Sequence, residues 1–330
     1  MAKFNSVICI LLVCILYSSE AKSQDRFEFT VAQDGSGDFK GIQEAIDACK
    51  AFPDRRVVIY VKKGIYKEKV VVPSCNTRLS LIGEDAGNTI ISWNDYFNSI
   101  NRGRNSTFYT YTMIVEADDF YAENLTIINT AGPVGQAVAL HVEGTRCVFR
   151  NCRVLGHQDT LYTGGQDSRQ YYDNCHIEGT TDFIFGAATA LFNNCTICSA
   201  GDSWITAAST PAGREFGYVF LNCSLTALEG VSRVYLGRPW RDFARVAFIG
   251  CEMGAHIVPE GWSNWEGTDR DRTAWYAEYG NTGPGASHGG RVKWSHLLSK
   301  REASKYKPGT VLSPSTGWEL PVDQWISGKE

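Results

Sequence analysis

The chain has 330 residues, 43% of them apolar and 21% charged, and carries a formal net charge of −4. That length and composition allow a large buried core and exclude a disordered or fibrous chain. The acidic balance excludes a basic nucleic-acid surface, and no Pro/Ser tract, charge block or low-complexity run divides the sequence, so one elongated domain is expected.

Residues 1–23 stand apart. Met1-Ala-Lys3 supplies a basic start, Val7 to Tyr17 is an apolar run too short for a membrane span, and Ala21-Lys22-Ser23 offers small residues for cleavage. A secretion signal over 1–23 and a mature domain over 24–330 are expected, with no membrane partner. Nine cysteines follow the signal, an odd number that leaves at least one thiol unpaired within the chain. Cys195-x-x-Cys198 has no second pair or His at zinc-ligand spacing, so no metal is implied.

Phe27 to Val31 reads as a strand, and Asp34-Gly-Ser-Gly-Asp38 as a turn with Asp38 as the N-cap of a helix. Ile42, Ala45, Ile46 and Cys49 give that helix its apolar face. The Gly pair lacks the rest of a nucleotide-binding signature. From Arg56 the pattern becomes short β-branched runs (Val57–Val61, Lys69–Val72, Leu79–Ile82 and Thr89–Ser92), divided by Gly, Pro, Asn and Asp. The domain is expected to be all-β.

A self-repeat follows. Phe149-Arg-Asn-Cys152, Tyr172-Asp-Asn-Cys175, Phe192-Asn-Asn-Cys195, Phe220-Leu-Asn-Cys223 and Phe248-Ile-Gly-Cys251 share one frame, at intervals of 20 to 28 residues. A unit of that length suits one coil of a parallel β-helix; a leucine-rich repeat lacks its Leu spacing here, and a propeller blade needs a longer unit. The Asn would serve a left-handed turn and the small Cys would pack inward. Stacked coils bring residues one interval apart to about 4.8 Å. Gln136 and Gln158 are 22 residues apart, and Asp159 and Asp182 are 23 apart, so each pair is expected side by side.

The C-terminal region is rich in Trp. Trp262, Trp265, Trp275, Trp294, Trp318 and Trp325, with Trp240, suggest an aromatic wall that binds sugar faces or covers the stack. Asn281-Thr-Gly-Pro-Gly285 and Pro308-Gly309 mark turns, and Ser299 to Lys305 a short covering helix.

Two carboxylates on adjacent rungs resist joint ionisation, which gives one base or nucleophile and one proton donor. Glutamine amides beside them can donate to a developing oxyanion, and Arg238 can hold the ionised carboxylate through two hydrogen bonds. The alternative is an Asp/Asn ladder that only stabilises turns. The residues alone leave both open.

Gly64-Ile-Tyr-Lys-Glu68, Gln136-Ala-Val-Ala-Leu140, Gln158-Asp-Thr-Leu161, Asp182-Phe-Ile-Phe-Gly186 and Leu236-Gly-Arg-Pro-Trp240 occur in the order found in pectin methylesterases. From about Phe27 to Trp294 the sequence resembles that family. The resemblance implies a right-handed, single-stranded parallel β-helix with short covering helices at the ends, hydrolysing methyl esters of galacturonate in pectin without a cofactor. It implies Asp182 as nucleophile, Asp159 as general acid/base, Gln136 and Gln158 as oxyanion donors, and Arg238 as the residue orienting the nucleophile. Phe108, Tyr162, Tyr235, Trp240 and Trp265 resemble the family's substrate-contacting aromatics. Pectin is the implied partner, a proteinaceous pectinesterase inhibitor a candidate second one, and the enzyme is expected as a secreted, cell-wall monomer. The Gly-rich stretch from Thr163 to Arg169 is longer than in many plant members, and a long inhibitor-like pro-region is not expected. A polygalacturonase or lyase on the same fold, or a non-catalytic pectin-binding β-helix, are the rival readings. A lyase would want a Ca²⁺-binding carboxylate cluster, and a glycosidase has no use for paired Gln oxyanion donors.

His157 is expected to be structural. Sequons stand at Asn105, Asn124, Asn194 and Asn222. The last three lie in the repeat ladder and are expected to be too buried to modify, which leaves Asn105.

Overall fold

The computed structural model describes residues 26–313 and 322–327. The expected signal segment and Trp318 lie outside them. Among the described residues the strands form three sheets, of eleven, seven and eight strands. Every pairing within them is parallel; Cys147–Arg150, for example, lies between Tyr121–Glu123 and Arg169–Asp173.

The chain visits the three sheets in rotation. Cys147–Arg150 belongs to the eleven-stranded sheet, Arg153–Leu155 to the eight-stranded sheet and Leu161–Thr163 to the seven-stranded sheet, after which Arg169–Asp173 returns beside the start. Each circuit is one coil of a parallel β-helix, as the repeat predicts. Its strands are only two to five residues long because each must turn a corner within a 20–28-residue circuit.

The repeated frame supplies both corner and core. Asn124, Asn151, Asn174, Asn194 and Asn222 all have φ between 51° and 56°, and Gly250 takes the same corner at 65°. Asn and Gly tolerate this left-handed conformation best. Inside the corner, Phe149, Tyr172, Phe192, Phe220 and Phe248 stack with ring centroids 4.3–5.1 Å apart, nearly parallel. The β-sheet spacing of about 4.8 Å matches the offset-stacking distance of aromatic rings, so the coil repeat produces the stack directly.

The frame cysteines pack beside it, each at most 2% exposed. The thiols of Cys175, Cys195, Cys223 and Cys251 donate to backbone carbonyls of a neighbouring coil, as Cys175 does to Phe149 at 3.3 Å and Cys223 to Phe192 at 3.4 Å. All nine cysteines of the described residues are free. Burial pushes the thiols of Cys152, Cys175, Cys195 and Cys223 well above their ordinary range, which keeps them protonated and inert.

The helix Ile42–Asp47 buries Ile42, Ala45 and Ile46 against the first coil. Asp38 is not its cap: it pairs with Arg26 and accepts from the Thr30 N–H. The cap comes from 26 residues away, where the Glu68 carboxylate accepts from the Ile42 and Gln43 amides at 3.0 and 2.9 Å. Near the other end of the chain, Lys300–Ala303 opens on a capping box between Ser299 and Glu302. Pro308-Gly309, expected as a turn, instead begins the helix Pro308–Val311, because proline's fixed φ suits a first helical position. With Val322–Ser327 this helix lays Val311, Leu312, Val322 and Trp325 over Tyr121, Val148, Tyr171, Leu191, Val219 and Leu221 on the outer face of the eleven-stranded sheet.

The tryptophans do not form one wall. Trp262 is fully buried in the core, Trp275 stacks on His296, Trp294 packs beside Tyr276, and Trp325 covers the outer face. The sequon expectation is corrected as well. Asn194 and Asn222 are exposed like Asn105, while Asn124 is half-buried.

Candidate active site

The seven-stranded sheet carries the site. Leu161 pairs with Ile184, so Asp159 and Asp182 sit opposite each other, just before the strands Leu161–Thr163 and Ile184–Gly186. Both have left-handed backbones, with φ of 64° and 49°. Such a conformation costs energy at any non-glycine residue and clusters at functional positions. It is held by the neighbouring coils: the Asp159 N–H donates to the Thr181 carbonyl at 3.0 Å, and the Asp182 N–H to that of Trp204 at 2.8 Å.

Arg238, from the strand Tyr235–Pro239, grips Asp182. Its Nε and Nη2 donate to Oδ1 and Oδ2 at 2.9 and 2.6 Å. The guanidinium is sandwiched between indoles, 3.7 Å from the Trp204 ring centre and 4.2 Å from that of Trp265. A fork fixed on both faces leaves Asp182 one orientation.

Burial raises both carboxyl groups, because the interior disfavours the charged form. Asp182 is pulled back by its hydrogen bonds and charge pairing with Arg238. Asp159 goes well above the carboxylate range, through burial first and then the negative charge of Asp182, against a smaller opposing effect of Arg238. The pair is therefore asymmetric: Asp159 is the more strongly raised, and Asp182, forked by Arg238, is the one that ionises more readily.

Gln136 and Gln158 form a parallel bridge one coil apart, both half-exposed, with the Ala137 N–H donating to the Gln158 carbonyl at 3.1 Å. Since Gln158 immediately precedes Asp159 in the chain, this backbone bridge adjoins the carboxylate pair.

An apolar floor extends from there. Val138, Phe185 and Ala207 are buried on the outer face of this sheet, with Phe108, Tyr111, Tyr162, Trp240 and Trp265 packed against them. Phe108 meets Tyr162 edge-on at 5.0 Å, and Trp240 meets Phe185 at 5.8 Å. One row in register, Ile114, His141, Tyr162, Phe185, Ala207 and Arg238, faces the same way. Among the aromatics expected from sequence, Tyr235 lies elsewhere, stacked on Trp204 with centroids 6.0 Å apart behind Arg238.

Trp204, Phe185, Tyr111 and His141 were not singled out by sequence. Trp204 had a signal, since it lies 22 residues after Asp182, one coil on. Phe185 stands inside the Asp182 motif itself. His141 had none: it is 4% exposed, boxed by Phe108, Tyr111 and Tyr162, with Nε2 2.8 Å from Glu143. His157 acts through its backbone, its carbonyl accepting from the Thr160 hydroxyl and the Thr180 N–H. In the longer loop between the aspartates, Asp167 pairs with Arg214.

Comparison with known proteins agrees with this geometry. The Pectinesterase family model matches residues 28–315. Pectinesterase 31 of Arabidopsis thaliana is 40% identical over 292 residues, covering 86% of this chain and 92% of that protein. Pectinesterase 4 of the same plant is 38% identical over 88% of the chain, which spans only 51% of that longer protein. The solved structure of pectin methylesterase from carrot superposes with a TM-score of 0.80 at 32% identity, over 86% of this chain and 92% of that one. A family match that runs from the first strand past the helix Pro308–Val311, on the same fold, leaves one conclusion: the chain belongs to the pectinesterase family.

Proposed function

We propose that the chain is a pectin methylesterase in which Asp182 is the nucleophile and Asp159 the acid/base. The observation that carries this reading is the asymmetry of the pair: Arg238 forks one aspartate, and burial and the neighbouring carboxylate raise the other.

An Asp182 oxygen attacks the methyl ester carbonyl of a galacturonate unit. The electron pair moves to the carbonyl oxygen, and the Gln136 and Gln158 side-chain amides donate to that oxyanion. Collapse breaks the bond to the methoxy group, which leaves as methanol with the Asp159 proton. Asp159, now a carboxylate, takes a proton from water while the water oxygen attacks the acyl carbon. The acyl bond to Asp182 breaks, the polymer departs with that unit as a free carboxylic acid, and Asp159 is protonated again. The apolar floor suits the sugar faces and methyl groups of the polymer. Phe108, Tyr162, Trp240 and Trp265 line it, and Tyr235 supports Arg238 through Trp204.

The reading keeps residues 1–23 as a secretion signal, 24–330 as the catalytic domain, the cell wall as the place of action, and a proteinaceous inhibitor as a candidate partner. No helix among the described residues is long and apolar enough to cross a membrane.

Incubation with highly methylated pectin tests the proposal. Methanol should be released without shortening of the polymer, whereas a lyase gives unsaturated ends, a glycosidase reducing ends, and a binding protein neither. Asp182→Asn should bind pectin as the wild type does and lose turnover by a factor of about 10³ or more. Methanol release by that variant at the wild-type rate would refute the assignment.

A further inference from the structure

The eight-stranded sheet presents an outer face with no part in the chemistry above. Cys195 and Cys198, which look like one motif in sequence, lie on opposite sides of it. Cys195 is buried in the central core, while Cys198 points away from that core and is 5% exposed. The frame thiols are held by backbone carbonyls in the interior, so Cys198 is a different kind of cysteine. In the parallel register Glu178 pairs with Cys198, and His176 with Thr196. His176 and Glu178 are two residues apart on one strand and therefore share its outer face.

The ligand atoms of His176, Glu178 and Cys198 all lie within 4.8 Å of one another. His176 Nε2 stands 3.3 Å from a Glu178 oxygen, and the two side chains are 31% and 28% exposed. We propose that these three side chains bind a borderline-soft divalent metal ion of the Zn²⁺ type, with water completing the coordination. The donor set decides the ion. Nitrogen, thiolate sulfur and carboxylate oxygen together suit Zn²⁺ or Co²⁺, whereas Ca²⁺ and Mg²⁺ require all-oxygen shells. Zinc bonds of about 2.0–2.3 Å in a tetrahedron set ligands about 3.3–3.8 Å apart, so closure needs side-chain rotation of about 1 Å and no backbone movement. The strands fix the three Cα positions in advance, and Thr226, one coil beyond Cys198 on the same face, stands beside the sulfur as an outer-shell hydroxyl.

The location gives the ion a consequence. The strand His176–Gly179 runs through two residues, Thr180 and Thr181, into Asp182. An ion held by Glu178 and Cys198 ties that coil to the next one, as a cross-link on the strand that delivers the proposed nucleophile.

Cobalt titration of the reduced, full-length chain tests this. The wild type should take up one Co²⁺ with a sulfur-to-cobalt charge-transfer band that Zn²⁺ displaces, and Zn²⁺ should raise its thermal midpoint. Cys198→Ser should abolish the band. His176→Gln and Glu178→Gln should each weaken uptake tenfold or more. Cys49→Ser and Cys75→Ser, at the two half-buried thiols, should bind as the wild type does. Methanol release serves as the folding check; if Cys198→Ser fails it, the His176 and Glu178 variants carry the test. The proposal is overturned if the wild type shows no cobalt–thiolate band, if Cys198→Ser keeps it, or if Cys49→Ser or Cys75→Ser removes it.

Discussion

At the residue scale, Asp159 and Asp182 share one kind of environment and separate because only one of them is forked by Arg238. The pH–rate profile should follow from that. The proposed mechanism needs Asp182 ionised and Asp159 protonated, so kcat/KM should fall at low pH as Asp182 gains a proton and at high pH as Asp159 loses one. The same displacement opposes stability. Asp159 is raised in the folded chain, so folding takes up a proton between the unfolded and folded values, and stability falls as pH rises through that window. Asp159→Asn should therefore stabilise the protein by about 1–3 kcal/mol at neutral pH. That gain should vanish below the ordinary carboxylate range, as read from urea midpoints across pH; a gain independent of pH would show that the charge is not its cause. The adjacency of Asp159 and Asp182 was legible in sequence, because an interval of 23 residues, once recognised as a coil, becomes adjacency. The left-handed backbone of both aspartates was not, since a corner conformation depends on what the next coil does to the chain.

At the element scale, the corner asparagines do one thing five times, and Gly250 does it a sixth. Asn222→Ala should cost about 1–2 kcal/mol, because alanine's Cβ opposes the left-handed conformation, while Asn222→Gly should cost much less. Urea midpoints of the two variants check this; equal losses would mean that the Asn side chain, and not the backbone angle, sets the corner. Strand positions were readable wherever β-branched runs were bounded by turn residues, and Val57–Val61 appears as the sequence predicts it. The helix cap was misread because Glu68, which provides it, is a long-range partner that local capping rules do not reach. Pro308 was misread because proline both breaks helices and starts them, and the choice rests on what packs after it.

At the scale of the whole molecule, a β-helix has a second apolar face to cover besides its core. The outer face of the eleven-stranded sheet is covered by Val311, Leu312, Val322 and Trp325, and the Ile326 carbonyl accepts from Arg150 at 3.1 Å. Trp325→Ala should lower stability by about 3–5 kcal/mol and promote aggregation at the uncovered face, while methanol release in the cold stays near wild type, because the site lies on another sheet. Light scattering on warming, beside activity at low temperature, reads both; loss of activity without loss of stability would contradict this division.

By itself the sequence determined the coil. Its aromatic-x-Asn-Cys frame recurs once per coil at intervals of 20 to 28 residues, and a repeating chain with short β-branched runs buries its apolar residues by stacking, which also aligns Gln136 with Gln158 and Asp159 with Asp182. Only the tertiary structure decided which face each residue occupies. It sent Cys195 inward and Cys198 outward, buried Trp262, and set Trp204 and Trp265 on either side of Arg238. The reason is physical: period fixes which residues are neighbours along the stack, but the corners between strands fix orientation, and those corners are shaped by contacts with coils that are distant in sequence.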